Sequence, residues 1–294
     1  MPTLKSTHRT VIKAKPVSSN ALTPAEVLSV DVGYELKVTI LAGDRDQHDV
    51  VDLEAPILAS DGTTYLSRVY VYRPHWMASG LGQLLNTSGG GLKLPVQWRT
   101  QIGNEEDDPD LGHWFGNGNR QCNLTSHAML LGSIFGDAEI EERARKSGFN
   151  EPEGWYGEIL NRYGDTTDHT AQTAALEVIG IKSYWSTTLS VADALKQMEK
   201  GIGVVVGYAY KSSGHICMMA GYDREKREVL THDPYGCRAG AEDYYITIGE
   251  GGAYDPYSAD VIAQIWLDPQ SNESGWGRII TEIAGEPTGM DEGL

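Results

Sequence analysis

Cys122 heads the run Cys122-Asn123-Leu124-Thr125-Ser126-His127-Ala128-Met129-Leu130-Leu131, whose apolar residues Leu124, Ala128, Leu131 and Phe135 recur at helical spacing. Gly116-Asn117-Gly118-Asn119 stands just before it, so a loop delivers the backbone into that helix. A thiol there faces unpaired N–H groups and the positive end of the helix dipole, which favour thiolate and hence a nucleophile. The bland alternative is a free cysteine packed in a core. A thiolate nucleophile needs a base, and histidine is the natural one near neutral pH. Eight histidines compete. His127 shares the predicted helix and should point away from the thiol, while His113 and His169 stay open by pattern. His215 opens an otherwise apolar strand, Ile216-Cys217-Met218-Met219-Ala220-Gly221-Tyr222, where a polar side chain needs a partner. Asp233 follows the next strand across a hairpin. It can fix an imidazole tautomer, or it can be an ordinary Asp-Pro turn.

The elements that must hold these residues fall into two parts. Residues 1–78 read as short strands (His8 to Ala14, Tyr34 to Leu41, Asp49 to Leu53, Thr64 to Tyr72) broken by Gly33, Gly43-Asp44 and Asp61-Gly62. Their histidines His8, His48 and His75 are expected at the surface. Residues 79–91 are a glycine-rich linker candidate. The second domain, 92–286, places helices first: the cysteine helix, Ala138 to Lys146, Asp168 to Ile179, and a helix capped by Ser190 and stopped near Gly201. Strands follow at Val204 to Tyr210, His215 to Tyr222, Glu228 to Asp233 and Tyr244 to Ile248. Another helix is expected over Ser258 to Leu267 and a last strand over Arg278 to Ile283. Residues 287–294 read as a frayed tail. Helices before an antiparallel sheet make an α+β domain.

Composition narrows the partners. With 41 acidic and 24 basic residues the net charge is -17, which argues against non-specific nucleic-acid binding and anionic membranes. No run of apolar residues is long enough to span a bilayer. The first residues lack the apolar core of a signal peptide. The expectation is synthesis in the cytoplasm, with release by lysis or carriage in a virion. Three cysteines, Cys122, Cys217 and Cys237, make neither a disulfide framework nor a zinc site. The acidic stretch Asn104-Glu105-Glu106-Asp107-Asp108-Pro109-Asp110 lacks the glycine and spacing of an EF-hand, and is expected to be a solvated loop. No metal or cofactor is expected.

Three segments together resemble the papain-like peptidases of the C39 type, especially the C39-like domains of phages and bacteria. They are Gln121 to Met129, Gly214-His215 to Asp223, and Asp233-Pro234-Tyr235-Gly236. The resemblance implies a papain-like fold in which Cys122 attacks, His215 acts as base and then acid, and Asp233 orients it. It also implies a glutamine amide in the oxyanion hole. Gln101 keeps the family context of that glutamine but lies 21 residues ahead of Cys122, across the acidic insert. Gln121 and Asn119 are the alternatives. The family usually carries Cys-Gly-Pro where this chain has Cys122-Asn123-Leu124. The N-terminal segment resembles the small SH3-like β-barrels appended to many cell-wall hydrolases, which implies a binding module. The implied function is a cysteine peptidase or amidase acting on peptidoglycan, a phage-type endolysin. The Asp-Pro-Tyr-Gly turn favours this over a CHAP-type hydrolase. The alternatives are a polypeptide-processing protease and a non-catalytic phage particle or adsorption protein that keeps the fold.

Overall fold

A computed structural model describes residues 3–6, 8–43, 48–72, 75–78, 90–209, 214–238, 244–266, 275–288 and 290. The chain divides into two compact units, Met1–Gly89 with Arg224–Arg227 and Gly90–Asp223 with Glu228–Leu294. Most of the linker expected over 79–91 lies outside the described residues. No helix among the described residues is long and apolar enough to cross a membrane.

The first unit is built of antiparallel strands. They are β1 (Thr3–Ser6), β2 (Thr10–Lys13), β3 (Val27–Val30), β4 (Glu35–Gly43), β5 (His48–Leu58), β6 (Tyr65–Tyr72) and β7 (Trp76–Ala78). They hydrogen-bond in the order β3-β2-β6-β5-β4-β1-β7. Alternation along the strands sends Ile12, Val38, Val51, Val69 and Val71 into one core with Leu4, Leu36 and Trp76. Asp61 closes the β5–β6 connection. Its Oδ1 accepts from the backbone N–H groups of Thr63 and Thr64, both at 2.9 Å. The sequence expectation covers β2, β4, β5 and β6; β1, β3 and β7 are short and carry no alternation to reveal them.

The second unit opens on β8 (Leu92–Lys93). Helices follow: α1 (Asn104–Asp107), α2 (Pro109–Phe115), α3 (Cys122–Phe135), α4 (Asp137–Ser147), α5 (Pro152–Leu160) and α6 (His169–Val178). Then come β9 (Ile181–Leu189), α7 (Val191–Glu199), β10 (Val204–Ala209), β11 (Gly214–Asp223) and β12 (Glu228–His232). After them come β13 (Gly236–Cys237), β14 (Thr247–Ile248), β15 (Asp255–Ser258), α8 (Ala259–Ile265), β16 (Gly275–Ile283) and β17 (Glu286–Pro287). The main antiparallel sheet runs β15-β12-β11-β10-β16-β17, with β8 on β11 and β9 on β16. Helices and an antiparallel sheet thus share one α+β unit.

The structure departs from expectation at five places, the first of them in the first unit, where His48, expected at the surface, is buried beside Lys13. The acidic insert is not a loop but the two short helices α1 and α2. Pro152 at the first helical position starts α5, which the sequence reading left without an element. Strand β9 lies among the helices and reaches the sheet by pairing with the last long strand. The chain end is drawn in further than a frayed tail: Pro287 pairs with Glu282, the Thr288 hydroxyl donates to the Ile280 carbonyl at 2.6 Å, and Met290 is buried.

The cysteine helix is the axis of this unit. From Asn123 to Gly132 every residue of α3 is buried, so the apolar stripe seen in the sequence is one side of a central helix. It packs against β10 and β11 on one side and α4 and α5 on the other.

Candidate active site

Cys122 is the first residue of α3, and Gln121 precedes it as the cap. A tight turn over Gly118–Arg120 brings the chain there. The Gly118 N–H donates to Glu105 Oε2 at 2.8 Å, and the Gly118 carbonyl accepts from Gln101 Nε2 at 2.7 Å. A Cβ on Gly118 would stand 2.0 Å from the Gln101 carbonyl oxygen, so only glycine permits this approach. Asn104 Nδ2 donates to Gln121 Oε1 at 3.0 Å and to Thr125 Oγ1 at 3.1 Å. The acidic insert therefore splints the loop that carries the thiol. Its Asp108 is buried and accepts from the backbone N–H groups of Asn150 and Glu151, which is not the behaviour of a solvated loop.

His215 and Asp233 come together through strand register. β11 and β12 pair with Met218 opposite His232, so the residue after β12 lies beside the start of β11. His215 Nε2 lies 2.8 Å from Asp233 Oδ1. Asp233 has no solvent exposure. Its Oδ1 also accepts from the Tyr235 N–H at 2.9 Å, and its Oδ2 accepts from the hydroxyls of Tyr245 at 3.0 Å and Tyr257 at 3.1 Å. A buried carboxylate that accepts from this many donors has its desolvation offset. The following turn is tied to the loop before the insert. The Trp98 indole donates to the Asp233 carbonyl at 2.7 Å, and the Gln101 N–H donates to the Pro234 carbonyl at 2.8 Å. At Gly252 a Cβ would meet the Asp233 carbonyl oxygen at 2.1 Å, so that chain also approaches only as glycine.

The electrostatics follow from these contacts. Burial alone would raise the Cys122 pKa. The hydrogen bond and charge of His215, with the N–H groups of Ile216 and Asn123, outweigh it and hold the thiol below its usual value. Burial likewise opposes a charged His215. Its pKa is nonetheless raised well above the ordinary value by the neighbouring Cys217 and Asp233 and by hydrogen bonds to Asp233 and Cys122. Cys217 is itself pushed up to about 12 by burial, so at neutral pH it is an uncharged thiol and Asp233 is the charge that holds the imidazolium. For Asp233, burial is again outweighed, by His215, Tyr235 and Tyr245, and its pKa is lowered. The arrangement favours a thiolate–imidazolium pair. With Nε2 on Asp233, Nδ1 is the ring nitrogen left for Cys122.

The other candidates stand elsewhere. The Gln101 amide spends one N–H on Gly118, and its Oε1 is buried without a partner. The Gln121 amide is engaged at both ends, by Asn104 and by the Gly116 carbonyl. Asn119 is exposed in the turn before it. His113 is exposed on α2, and His169 stacks on Trp185 at 3.6 Å. His127 is buried with Nδ1 2.8 Å from the Asn123 carbonyl oxygen. Cys237 is half-buried with Sγ 3.6 Å from Asp255 Oδ1. Tyr245, Tyr257 and Trp98 escaped the sequence reading, because nothing in their local pattern ties them to Asp233. The ligand atoms of His215, Cys217 and Asp233 lie within 4.8 Å of one another, a spacing that could suit a metal. Yet the Asp233 oxygens already accept from four donor groups and Cys217 keeps its proton, so hydrogen bonding accounts for this cluster.

No curated protein matches the chain. The sequence model described as the Peptidase_C39 like family matches residues 93–258, a span that holds Cys122, His215 and Asp233. The chain belongs to the Peptidase_C39 like family, and its second unit is a peptidase domain of the cysteine hydrolase kind.

Proposed function

We propose that the chain hydrolyses peptide bonds with Cys122 as nucleophile, His215 as general base and acid, and Asp233 as the residue that orients the ring. The observation that carries this reading is the His215–Asp233 pair at 2.8 Å, bearing on a thiol at the first turn of α3. The Cys122 sulfur attacks the scissile carbonyl carbon. His215 delivers its proton to the leaving amine, and a thioester remains. Water then attacks the thioester as His215 takes its proton, and a carboxylic acid and the free thiol are released. The developing oxyanion lies within reach of first-turn N–H groups, which an α-helix leaves without internal partners. Gln101 is assigned as the side-chain donor to that oxyanion through its second N–H. It is preferred over Gln121, whose amide also has a second N–H but is fixed at both ends, and over Asn119 in the exposed turn, because it alone keeps the family context of that glutamine.

The substrate assigned is peptidoglycan, as for a phage-type cell-wall hydrolase, with the strand-built N-terminal unit as an SH3-like binding module. This part rests on the resemblance of both segments to wall hydrolases. The test is incubation of the purified protein with peptidoglycan and mass analysis of the released fragments. Wild type should release peptide fragments with new amino termini and Cys122→Ala should release none. Release of soluble peptides from a protein substrate alone would point to a processing protease. A companion measurement reads the thiol directly: iodoacetamide should label Cys122 ahead of the half-buried Cys237 and far ahead of the buried Cys217. Equal labelling of all three would remove Cys122 from its role.

A further inference from the structure

The first unit holds a cavity of about 660 Å³ whose lining includes Arg9, Thr10, Lys13, His48, Tyr72 and His75. In a chain of net charge -17, with 41 acidic residues, the lining carries two cations, Arg9 and Lys13, and two imidazoles. Among the described residues no carboxylate lines it. Lys13 is the centre of the arrangement. It is 7% exposed, its Nζ donates to the Val17 carbonyl at 2.9 Å, and it lies 3.2 Å from His48 Nε2. It has no carboxylate partner among the described residues, and one of its three N–H donors is left for another acceptor. Burial lowers its pKa, because desolvation disfavours the ammonium form. Around it runs a row of rings: His48 against Tyr72 at 5.5 Å, Tyr72 against His75 at 4.9 Å, and His75 against His8 at 5.0 Å. His75 Nδ1 is fixed 2.9 Å from Thr10 Oγ1. Arg9 stands at the rim, largely exposed, 3.6 Å from Asp31.

We propose that this cavity is an anion-binding site, taking a compact oxyanion, phosphoryl or carboxylate, carried on a larger molecule. A largely buried ammonium with no carboxylate partner among the described residues gains from an anion part of what is lost with its hydration. The cavity is far larger than a bare phosphate and lies within the size range of small-molecule sites, so the anionic group arrives attached to a body such as a sugar or a short peptide. The rings and the Lys13 stem supply the apolar wall for that body. The site belongs to the first unit and does not rest on the peptidase reading, because binding is measured without turnover.

The experiment titrates the full chain with methyl phosphate in one arm and acetate in the other, following the histidine ring resonances by NMR. Saturable shifts are expected in at least one arm, and the stronger arm names the source of the oxyanion. Lys13→Met should weaken binding at least tenfold. His75→Gln, which keeps a polar ring-sized group and all of the Lys13 contacts, should weaken it several-fold and serves if Lys13→Met does not fold. Arg9→Gln, at the exposed rim, should weaken it about twofold. Absence of saturable shifts in both arms would overturn the proposal, as would unchanged affinity in the folded variants.

Discussion

At the head of α3, His215 meets the buried carboxylate of Asp233 and its pKa is raised well above the ordinary value. Further along the same helix, His127 is fully buried, stacks on Tyr156 at 6.0 Å, and has its pKa driven well below that value by burial and by Arg278. Arg278 is a fully buried guanidinium with no carboxylate partner among the described residues. It donates to the hydroxyls of Thr173 at 2.6 Å and Ser183 at 3.2 Å, and to the His169 carbonyl at 3.0 Å. Its Nε, His127 Nε2 and His169 Nδ1 are all buried without hydrogen-bond partners. His169 is lowered to about 4, by burial and then by Arg278. Two polar centres on one helix thus hold their imidazoles in opposite protonation states, and the difference is the sign of the buried neighbour. A carboxylate makes a ring that can carry a proton to a leaving group. A guanidinium makes one that stays neutral and structural.

The sharpest way to break this comparison is to delete both rings. His215→Ala and Cys122→Ala should each lower turnover by about 10³-fold or more; Cys122→Ala should keep its melting temperature, whereas His215→Ala should also lose the stability that the imidazolium gives to the buried Asp233. His127→Gln should leave turnover within about threefold, because that ring does not share the thiol. A large loss of rate in His127→Gln with the fold intact would dissolve the distinction. The orienting groups come next. Asp233→Ala should lower turnover by about 10²-fold, whereas Asp233→Asn should keep part of the activity, since an amide can still hold an imidazole. Arg278→Met should act on the other axis. It strands the half-buried His169 carbonyl and two hydroxyls, so a loss of about 2 kcal/mol of stability is expected with the rate of the folded enzyme retained. Melting temperature measured beside turnover separates the two classes.

The opposite shifts also give opposite slopes against pH. For His215 the folded pKa is above the unfolded one. Its stabilisation is complete below the unfolded value near 6.5 and is lost as pH rises through the folded value. For His127 and His169 the folded pKa is below the unfolded one, so stability falls as pH drops from about 6.5, and for His169 the loss continues to about 4. Asp233, lowered, adds stability above its unfolded value near 3.9 that is lost as pH falls through the folded one. Turnover should follow a bell, with an acid limb where the thiolate is protonated and an alkaline limb where the imidazolium loses its proton. In His215→Ala the alkaline loss of stability should shrink while the acid loss remains. Unchanged alkaline behaviour in that variant would show that His215 is not the group held charged.

Much of the first centre was legible in the sequence, and almost none of the second. Cys122 announced itself through a glycine-rich approach and a helical period, and His215 through a polar residue opening an apolar strand. Asp233 followed from hairpin arithmetic, which strand register then realised. Those are local signals. Arg278 was read only as the start of a strand, and its burial depends on Thr173, Ser183 and His169, each about a hundred residues away in the chain. Tyr245 and Tyr257 reach Asp233 from beyond the hairpin for the same reason. The acidic insert misled in part: Glu106, Asp107 and Asp110 do face solvent, but Pro109 starts a helix and Asn104 and Glu105 spend their side chains on the loop that carries Cys122. Composition describes a segment's surroundings only when nothing long-range binds it.

The smallest expected effect lies at Asp168, which caps α6 beside the guanidinium centre. Its Oδ1 accepts from the N–H groups of Thr170 at 2.7 Å and Ala171 at 3.3 Å. Its charge also raises the His169 pKa slightly, against burial and Arg278. Cap and charge can be separated. Asp168→Ala removes both and should cost about 1 kcal/mol, the usual worth of an N-cap. Asp168→Asn keeps an oxygen for the cap and removes only the charge. If the charge matters to the second centre, Asp168→Asn should extend the neutral range of His169 further downward, steepening the acid loss of stability while leaving the neutral-pH melting temperature within about a degree. If Asp168→Asn instead behaves like Asp168→Ala at neutral pH, the carboxylate is stabilising Arg278 after all, and the contrast between the two centres becomes one of distance to a counter-charge and not of its presence.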